Sequence, residues 1–374
     1  MPTIRAYTRA FAADDPNGPS GGVPLPALEL GTAKGTQNFV VQELLLQWTL
    51  WDFGRTYGRY QQAALNVDIA QLQTGRAEQT VAYEVAVEYF RVLQAKAFKR
   101  VADEATRRAE AVLEISRKSL KAGLVEPDKV LRAEVELAQV EREVVTARRA
   151  ELVAIAALNL AMGINVSFPT GVVDQTDEPA RNQSLAECLQ IAVQNRREFQ
   201  VAERAINIAQ EGTRVAQADF APHVYAEGAL AYSTGHKVLV GDTESGSIII
   251  NWNLFEGGRR TGQLRTANAA LRAAAAQAQV VCDTIAFEVN EAFRDIEASR
   301  KNIALARPAI TQARENLRLV TRKYQNGDAT PTDIVDAETS LTRAQQDYYN
   351  ALYDYLTALA RLDYAMGVAP LMGG

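Results

Sequence analysis

Histidine occurs only twice in 374 residues, and so does cysteine. That scarcity narrows the chemistry. His223 and His236 fall in a strand-like stretch and the loop beyond it, with no nucleophile or carboxylate set beside them. There is no phosphate-binding glycine loop and no metal-ligand spacing, so no catalytic residue, cofactor or metal is expected. Cys188 and Cys282 sit in helix-like contexts and read as unpaired buried thiols that do not settle the compartment. No window holds about eighteen consecutive apolar residues, which excludes a transmembrane helix. The opening "MPTIRAYTRAF" lacks the basic start and apolar core of a secretory signal. A net charge of -5 gives no footprint for nucleic acid. The 12 prolines are few and unevenly placed, leaving room for long uninterrupted elements.

The chain does contain itself, twice. "QWTLWDFGRTYG" (47–58) returns as "NWNLFEGGRRTG" (251–262). Gly54 and Gly258 lie 258 − 54 = 204 apart, as do Trp48 and Trp252, Leu50 and Leu254, and Arg55 and Arg259. The offset persists from Gly123 to Gly327, Pro127 to Pro331, Ala133 to Ala337, Glu134 to Glu338, and Gly163 to Gly367. An ungapped match over so many positions marks two copies of one structural unit. The expected division is a first repeat at 1–162, a connector at 163–184, a second repeat at 185–367 and a tail at 368–374.

Each copy carries long heptad runs. From Pro331 to Met366, Ile334, Leu341, Tyr348, Tyr355 and Leu362 recur every seven residues, beside Ala337, Ala344, Ala351, Ala358 and Ala365. Two such rows form a coiled-coil seam, and a strict seven-residue period predicts left-handed supercoiling. The preceding stretch repeats the period at Val289, Ile296, Ile303, Ile310, Leu317 and Tyr324. The first copy follows at Val130, Leu137, Val144 and Leu158, with Ala133, Val140, Ala147, Ala154 and Ala161; Glu151 breaks its row. Pro308 should kink or break its helix. A helix from Arg259 to Gln325 would be roughly 100 Å long, which suits a fibrous bundle or a tube. "GLVEP" and "GDATP" each end one helix with glycine and open the next with proline. They predict antiparallel helical hairpins at 55–162 and 259–366, with tips near 123–127 and 327–331.

Ahead of each long helix the period changes to two. Leu44, Leu46, Trp48 and Leu50 alternate with Leu45, Gln47 and Thr49; Ile248, Ile250, Trp252 and Leu254 alternate with Ile249, Asn251 and Asn253. Partner strands are expected at Pro2–Ala10 and Pro222–Ser233, giving β-hairpins at 1–51 and 222–255. Pattern alone leaves open a membrane barrel wall and a soluble sheet with one face on a core. Four strands cannot close a barrel, so closure would recruit further copies of this chain.

These features resemble the TolC family of outer-membrane efflux channels. The resemblance rests on the junctions "LWDFGR" and "LFEGGRR", the tips "RKSLKAGLVEPDKVLRAE" and "RKYQNGDATPTDIVDAE", the helix ends "LNLAMG" and "LDYAMG", and "NRREFQVAERAINIAQEGTRVAQADFAP". It covers nearly the whole chain. It implies a mainly α fold with a small β part, in which antiparallel coiled-coil helices build an α-barrel. It also implies a homotrimer whose four strands per chain make a twelve-stranded β-barrel in outer-membrane lipid. The helical part would lie in the periplasm, its tips meeting an adaptor protein bound to an inner-membrane pump of the RND or ABC type. The family is not enzymatic. Its members begin with a signal peptide and a helix before the first strand. The expectation is therefore that an N-terminal piece, which would hold any lipidated cysteine, is missing here. The stop soon after "AMG" would trim the equatorial collar. The alternative of another class is a soluble coiled-coil scaffold without a membrane span.

The resemblance implies a pore gate at Asp333 and Asp336. They lie three apart on one helix face, where threefold symmetry would gather six carboxylates. A solvated acidic helix end is the plainer reading of the same residues. Subtracting 204 leads to Lys129 and Arg132, opposite in charge and possible partners of the gate. The family's locking arginine falls on Ala329, so the lock must differ. Gly123, Leu124, Val125, Pro127, Gly327 and Pro331 are the candidate adaptor contacts, and ordinary helix-turn chemistry also accounts for them. Asp52, Gly54, Arg55, Glu256, Gly258 and Arg259 mark the junctions between barrel and tunnel. Arg55, Arg259 and Arg260 suit lipid phosphates or a solvated helix start. Trp48, Trp51 and Trp252 suit an interfacial belt or packing at the joint.

Overall fold

The computed structural model describes residues 3–13, 37–123, 125–175, 178–179, 181–235, 241–326 and 328–369. Leu124, Gly327 and His236, the long first loop and the end of the tail lie outside the described residues. Four strands and six helices follow in the order β1 (Thr3–Ala13), β2 (Gln37–Trp51), α1 (Arg55–Lys121), α2 (Pro127–Ala161), α3 (Leu185–Asn195), α4 (Arg197–Ala218), β3 (His223–Gly235), β4 (Gly241–Asn251), α5 (Arg259–Gln325) and α6 (Pro331–Met366). None of the described helices is long and apolar enough to cross a membrane. The chain divides into two compact units, 1–68 with 202–277 and 69–201 with 278–374, and each repeat contributes to both.

In the first unit the two hairpins merge into a single antiparallel sheet of order β1-β2-β3-β4. The joint is β2 against β3, from Phe39 opposite Gly235 to Trp51 opposite Val224, with the register shifting between Thr49 and Trp51. The strands are longer than expected at β1 and β2. β4 is displaced towards the loop and stops at Asn251, short of Trp252 and Leu254. Trp252 leaves the ladder because its indole Nε1 donates to the Phe220 carbonyl at 3.1 Å.

Alternation sorts the sheet into two faces. Cross-strand rows such as Ile4–Leu46–Gly228–Gly246 and Trp48–Ala226–Ile248 put apolar groups on one face. The other face is mixed, with Arg5, Tyr7, Glu43, Gln47, Glu227, Ser245 and Ser247. Ile4, Leu46, Trp48, Ile248 and Ile250 are all exposed. Among the described residues none of the four strands has a buried residue, and β1 and β4 each keep one unpaired edge.

The second unit holds the core. Ile334, Leu341, Tyr355 and Leu362 are buried, as are Ala337, Ala351, Ala358 and Ala365; Tyr348 and Ala344 are half-buried. Val289, Ile296, Ile303, Leu317 and Tyr324 of α5 are buried with them. A third row of α6 is buried as well: Glu338, Gln345, Leu352, Leu359 and Met366. It is absorbed because α6 packs on other helices besides its hairpin partner, including α1 and α3. The first copy is looser. Val130, Ala133, Val140 and Leu158 are buried, but Leu137, Val144, Ala147 and Ala154 are only half so. Glu151, which interrupts that row, is held by Lys99 at 3.1 Å. Pro308 does not interrupt α5, which runs through it to Gln325. Cys188 is buried, Cys282 is half-buried rather than buried, and both are free.

Side chains of the helices grip the connector between the repeats. Tyr89 donates to the Val173 carbonyl at 2.6 Å, Lys96 to Val172 at 3.2 Å and Tyr355 to Pro179 at 2.7 Å. Asn159 donates to the carbonyls of Val166 and Phe168 at 3.2 and 2.8 Å. Arg181 pairs with the buried Asp363. Below it, Arg196 is buried at the break between α3 and α4. It reaches Glu198 at 3.0 Å, Glu288 at 2.8 Å and the Ala365 carbonyl at 3.2 Å.

Candidate functional site

Two places concentrate the residues of interest. The first is the pair of strand-to-helix junctions in the first unit. Leaving β2, Phe53 and Gly54 both adopt left-handed backbone, φ 54° and 88°; leaving β4, Gly257 and Gly258 do the same at 59° and 84°. Two successive left-handed residues reverse the chain sharply and aim it into a helix. L side chains resist that geometry, which accounts for the glycines of the repeated motif. Asp52 then caps α1: Thr56 donates its backbone N–H to Asp52 Oδ2 at 2.8 Å and its hydroxyl to the same oxygen at 2.5 Å. Burial pushes the Asp52 carboxyl up, but these bonds and Arg55 outweigh it and hold it below the usual range. Arg55 pairs with Asp219 at the end of α4.

The second junction uses different hands. Glu256 accepts from Asn253 at 2.8 Å, Arg259 at 2.5 Å and Arg260 at 3.3 Å. The Arg259 hydrogen bond is the main reason its carboxyl stays below the ordinary range. Arg260 is buried, with Nη1 on the Asp219 carbonyl at 3.3 Å and its guanidinium 5.7 Å from the Phe220 ring centroid.

The second place is the helix tips in the second unit. Gly123 is left-handed, φ 72°, and ends α1; Pro127 and Pro331 open α2 and α6. Val125 is half-buried, Pro127 exposed and Pro331 buried. α6 begins with a reciprocal cap. Thr330 donates its N–H and its hydroxyl to Asp333 Oδ2, each at 2.7 Å, and Asp333 N–H returns to Thr330 Oγ1 at 3.3 Å. The Thr330 backbone bond leads the forces holding the Asp333 carboxyl below its usual value. Asp336 is exposed on the next turn, and among the described residues its carboxylate makes no ion pair. Lys129 lies 3.7 Å from its neighbour Asp128, and Arg132 donates to Thr332 Oγ1 at 3.2 Å. Neither cation pairs with Asp333 or Asp336 inside one chain. Arg132 and Thr332 instead tie the two hairpins together beside Asp333.

Sequence reasoning passed over Thr330 as the cap of α6, Phe53 as a left-handed residue, and Glu338 as a buried acid. The first had a signal, a threonine three residues ahead of an acid at a helix start.

Long helical hairpins and a small antiparallel sheet, each built from two copies of one motif, define the fold class. The pattern of the outer membrane efflux protein family matches residues 26–164 and 188–368, and the two segments end 368 − 164 = 204 residues apart. The chain belongs to this family, whose place is the outer membrane. VceC, an outer membrane protein of Vibrio cholerae, superposes with a TM-score of 0.79 at 21% identity, over 98% of this chain and 87% of VceC. The outer membrane channel MtrE of Neisseria gonorrhoeae gives 0.76 at 19% identity, over 99% of this chain and 81% of MtrE. Outer membrane protein TolC of Salmonella enteritidis is 30% identical over 114 residues, which is 30% of this chain and 23% of TolC. The chain thus matches less than a quarter of that relative's length.

Proposed function

We propose that the chain is one subunit of a trimeric outer-membrane channel that serves as a passive, gated export duct for small molecules, metals or proteins. The observation that carries this reading is the sheet. It has an uncovered apolar face and two open edges, and four strands are about half of the smallest closed barrel. Three copies joined edge to edge give twelve strands. That closes the ladder and turns the apolar rows to lipid and the mixed face to a lumen. A soluble scaffold would have to leave Ile4, Leu46, Trp48, Ile248 and Ile250 in water.

In this reading the helical hairpins line a periplasmic conduit whose mouth is narrowed by Asp333 and Asp336. The tips around Gly123, Leu124, Val125, Pro127, Gly327 and Pro331 receive an adaptor protein, and an inner-membrane pump supplies the energy. Lys129 and Arg132 meet the aspartates of a neighbouring subunit, because neither reaches them within its own chain. Exposed pairs contribute only about 0–1 kcal/mol each, so their effect is that of a ring biasing a two-state gate.

The test is reconstitution of the detergent-purified protein into planar bilayers. The expected result is discrete conductance from a trimer, raised by Lys129→Glu with Arg132→Glu. A monodisperse species that needs no detergent and passes no current overturns the channel. Wild-type gating in the double variant overturns the charge ring alone.

A further inference from the structure

The internal repeat makes Glu134 and Glu338 equivalent, 338 − 134 = 204, yet their surroundings differ. Glu134 accepts from Arg117 at 2.7 Å on a well-solvated surface. The residue equivalent to Arg117 in the second copy is Thr321, 321 − 117 = 204, and its hydroxyl donates to Leu317 of its own helix at 2.7 Å. Glu338 has lost the cation its twin keeps. It is also only 5% exposed, in the third buried row of α6. Towards the C-terminus that row is apolar. Towards the tip it carries Glu338 and then Gln345, whose Oε1 is buried without a partner.

Glu338 borders a cavity of about 330 Å³ between α2 and α6, lined chiefly by apolar side chains such as Ala133, Val135 and Val335. Among the described residues no hydrogen bond or ion pair holds its carboxyl. The charges acting on it are Arg108 from α1 and Glu136 from α2. From α2 Arg132 lines the same cavity, with its Nη1 committed to Thr332. From α5 Leu317 and Val320 pack on this part of α6, and both are apolar. Arg108 is a weak counterion: Glu104 lies 3.9 Å from its Nη1, and its Nε and Nη2 are buried without partners.

We infer that Glu338 makes the seam between the two helical hairpins a proton-sensitive clasp. With its carboxyl neutral, α2 and α6 close over the cavity; once it is ionised opposite Glu136, the tips part. A buried carboxylate costs desolvation, and a like charge across the seam adds repulsion. Burial leads in raising Glu338 to about 7, with Arg108 opposing and Glu136 adding. Burial, then Glu143, also raises Glu136. In a parted, hydrated seam the carboxyl returns towards 4.5. The closed seam is therefore fully favoured below that value and loses ground until pH passes about 7. Between pH 6 and 8 the opening equilibrium rises about tenfold by proton linkage. The inference concerns the seam within one chain and stands whether or not the assembly conducts.

The experiment is amide hydrogen exchange on the full chain in detergent, corrected for the intrinsic pH dependence, over residues 128–140 and 331–343. Protection in the wild type should fall about tenfold from pH 6 to pH 8. Glu338→Gln should keep its pH 6 protection at pH 8, and Glu136→Gln should shrink the fall. Thr321→Arg, which restores the cation found in the first copy, should also flatten the response; it serves if the glutamine variant does not fold. A wild type whose protection is the same at both pH values overturns the inference. So does an undiminished fall in both Glu338→Gln and Thr321→Arg.

Discussion

Phe53 and Gly257 occupy equivalent places, 257 − 53 = 204 residues apart, and share a left-handed backbone with φ of 54° and 59°. One position is filled by the residue suited to that geometry and the other by an aromatic that packs edge-to-face with Trp51, the ring centroids 6.0 Å apart. The strain at Phe53 is the cost of keeping that ring. Asparagine tolerates the left-handed region, so Phe53→Asn should relieve up to ~1 kcal/mol of strain while losing the ring contact. Gly258→Ala should destabilise by about 1–2 kcal/mol. Thermal unfolding in detergent checks both, and the alanine variant should melt several degrees below the asparagine variant.

Arg196 and Arg361 each bridge two acids, but only Arg196 is buried. Arg196→Ala takes the buried guanidinium from Glu288 and the Ala365 carbonyl and leaves Glu198 with Arg76 alone, and should cost about 2–3 kcal/mol. Arg361→Ala removes half-exposed pairs with Glu291 and Asp295 and should cost about 0–1 kcal/mol. Chemical denaturation of the two variants side by side measures the gap.

The cap at the start of α6 should respond to acid. Hydrogen bonds from Thr330 hold the Asp333 carboxyl below its unperturbed 3.8, so their stabilisation is present above that value. It is lost as pH falls through the lower folded value. Corrected exchange over residues 331–335 should quicken below about pH 4 in the wild type. Asp333→Asn should exchange faster throughout and show no step there. Asp336→Asn, which breaks no cap, should keep the wild-type step.

α2 leaves Leu131, Val135, Val145, Leu152 and Leu160 exposed along its length. In the trimeric reading a neighbouring subunit covers this stripe. Val145→Asp with Leu152→Asp should leave the helical content unchanged and weaken trimer formation at least about tenfold, read by light scattering in detergent. A trimer of undiminished stability would show that the stripe faces elsewhere.

Much of this architecture is legible in the sequence because period and offset survive folding. The 204-residue spacing, the rows of Ile334 and Ala337, and the tip prolines all fall where alternation and heptads put them. The misses have physical causes. A two-row reading treats α6 as half of a simple coiled coil, whereas α1 and α3 also pack on it. The row through Glu338 and Leu352 is therefore buried too, its acid included. Phe53 gave no sign because nothing local demands an aromatic at a left-handed turn. Trp252 fits the period of two, yet its indole answers to Phe220 and not to the ladder. The joining of two hairpins through β2 and β3 depends on residues nearly two hundred positions apart, beyond any local pattern.

The belt between the repeats is gripped by its carbonyls at Val166, Phe168, Val172, Val173 and Pro179, and of those five residues only Val172 also packs its side chain on the core. Such a grip reads contour and ignores identity. The four exposed positions, Val166, Phe168, Val173 and Pro179, are free to drift in composition from one lineage to another while Val172 stays apolar and the length of the belt stays fixed. An insertion there would slide every carbonyl past its donor at once.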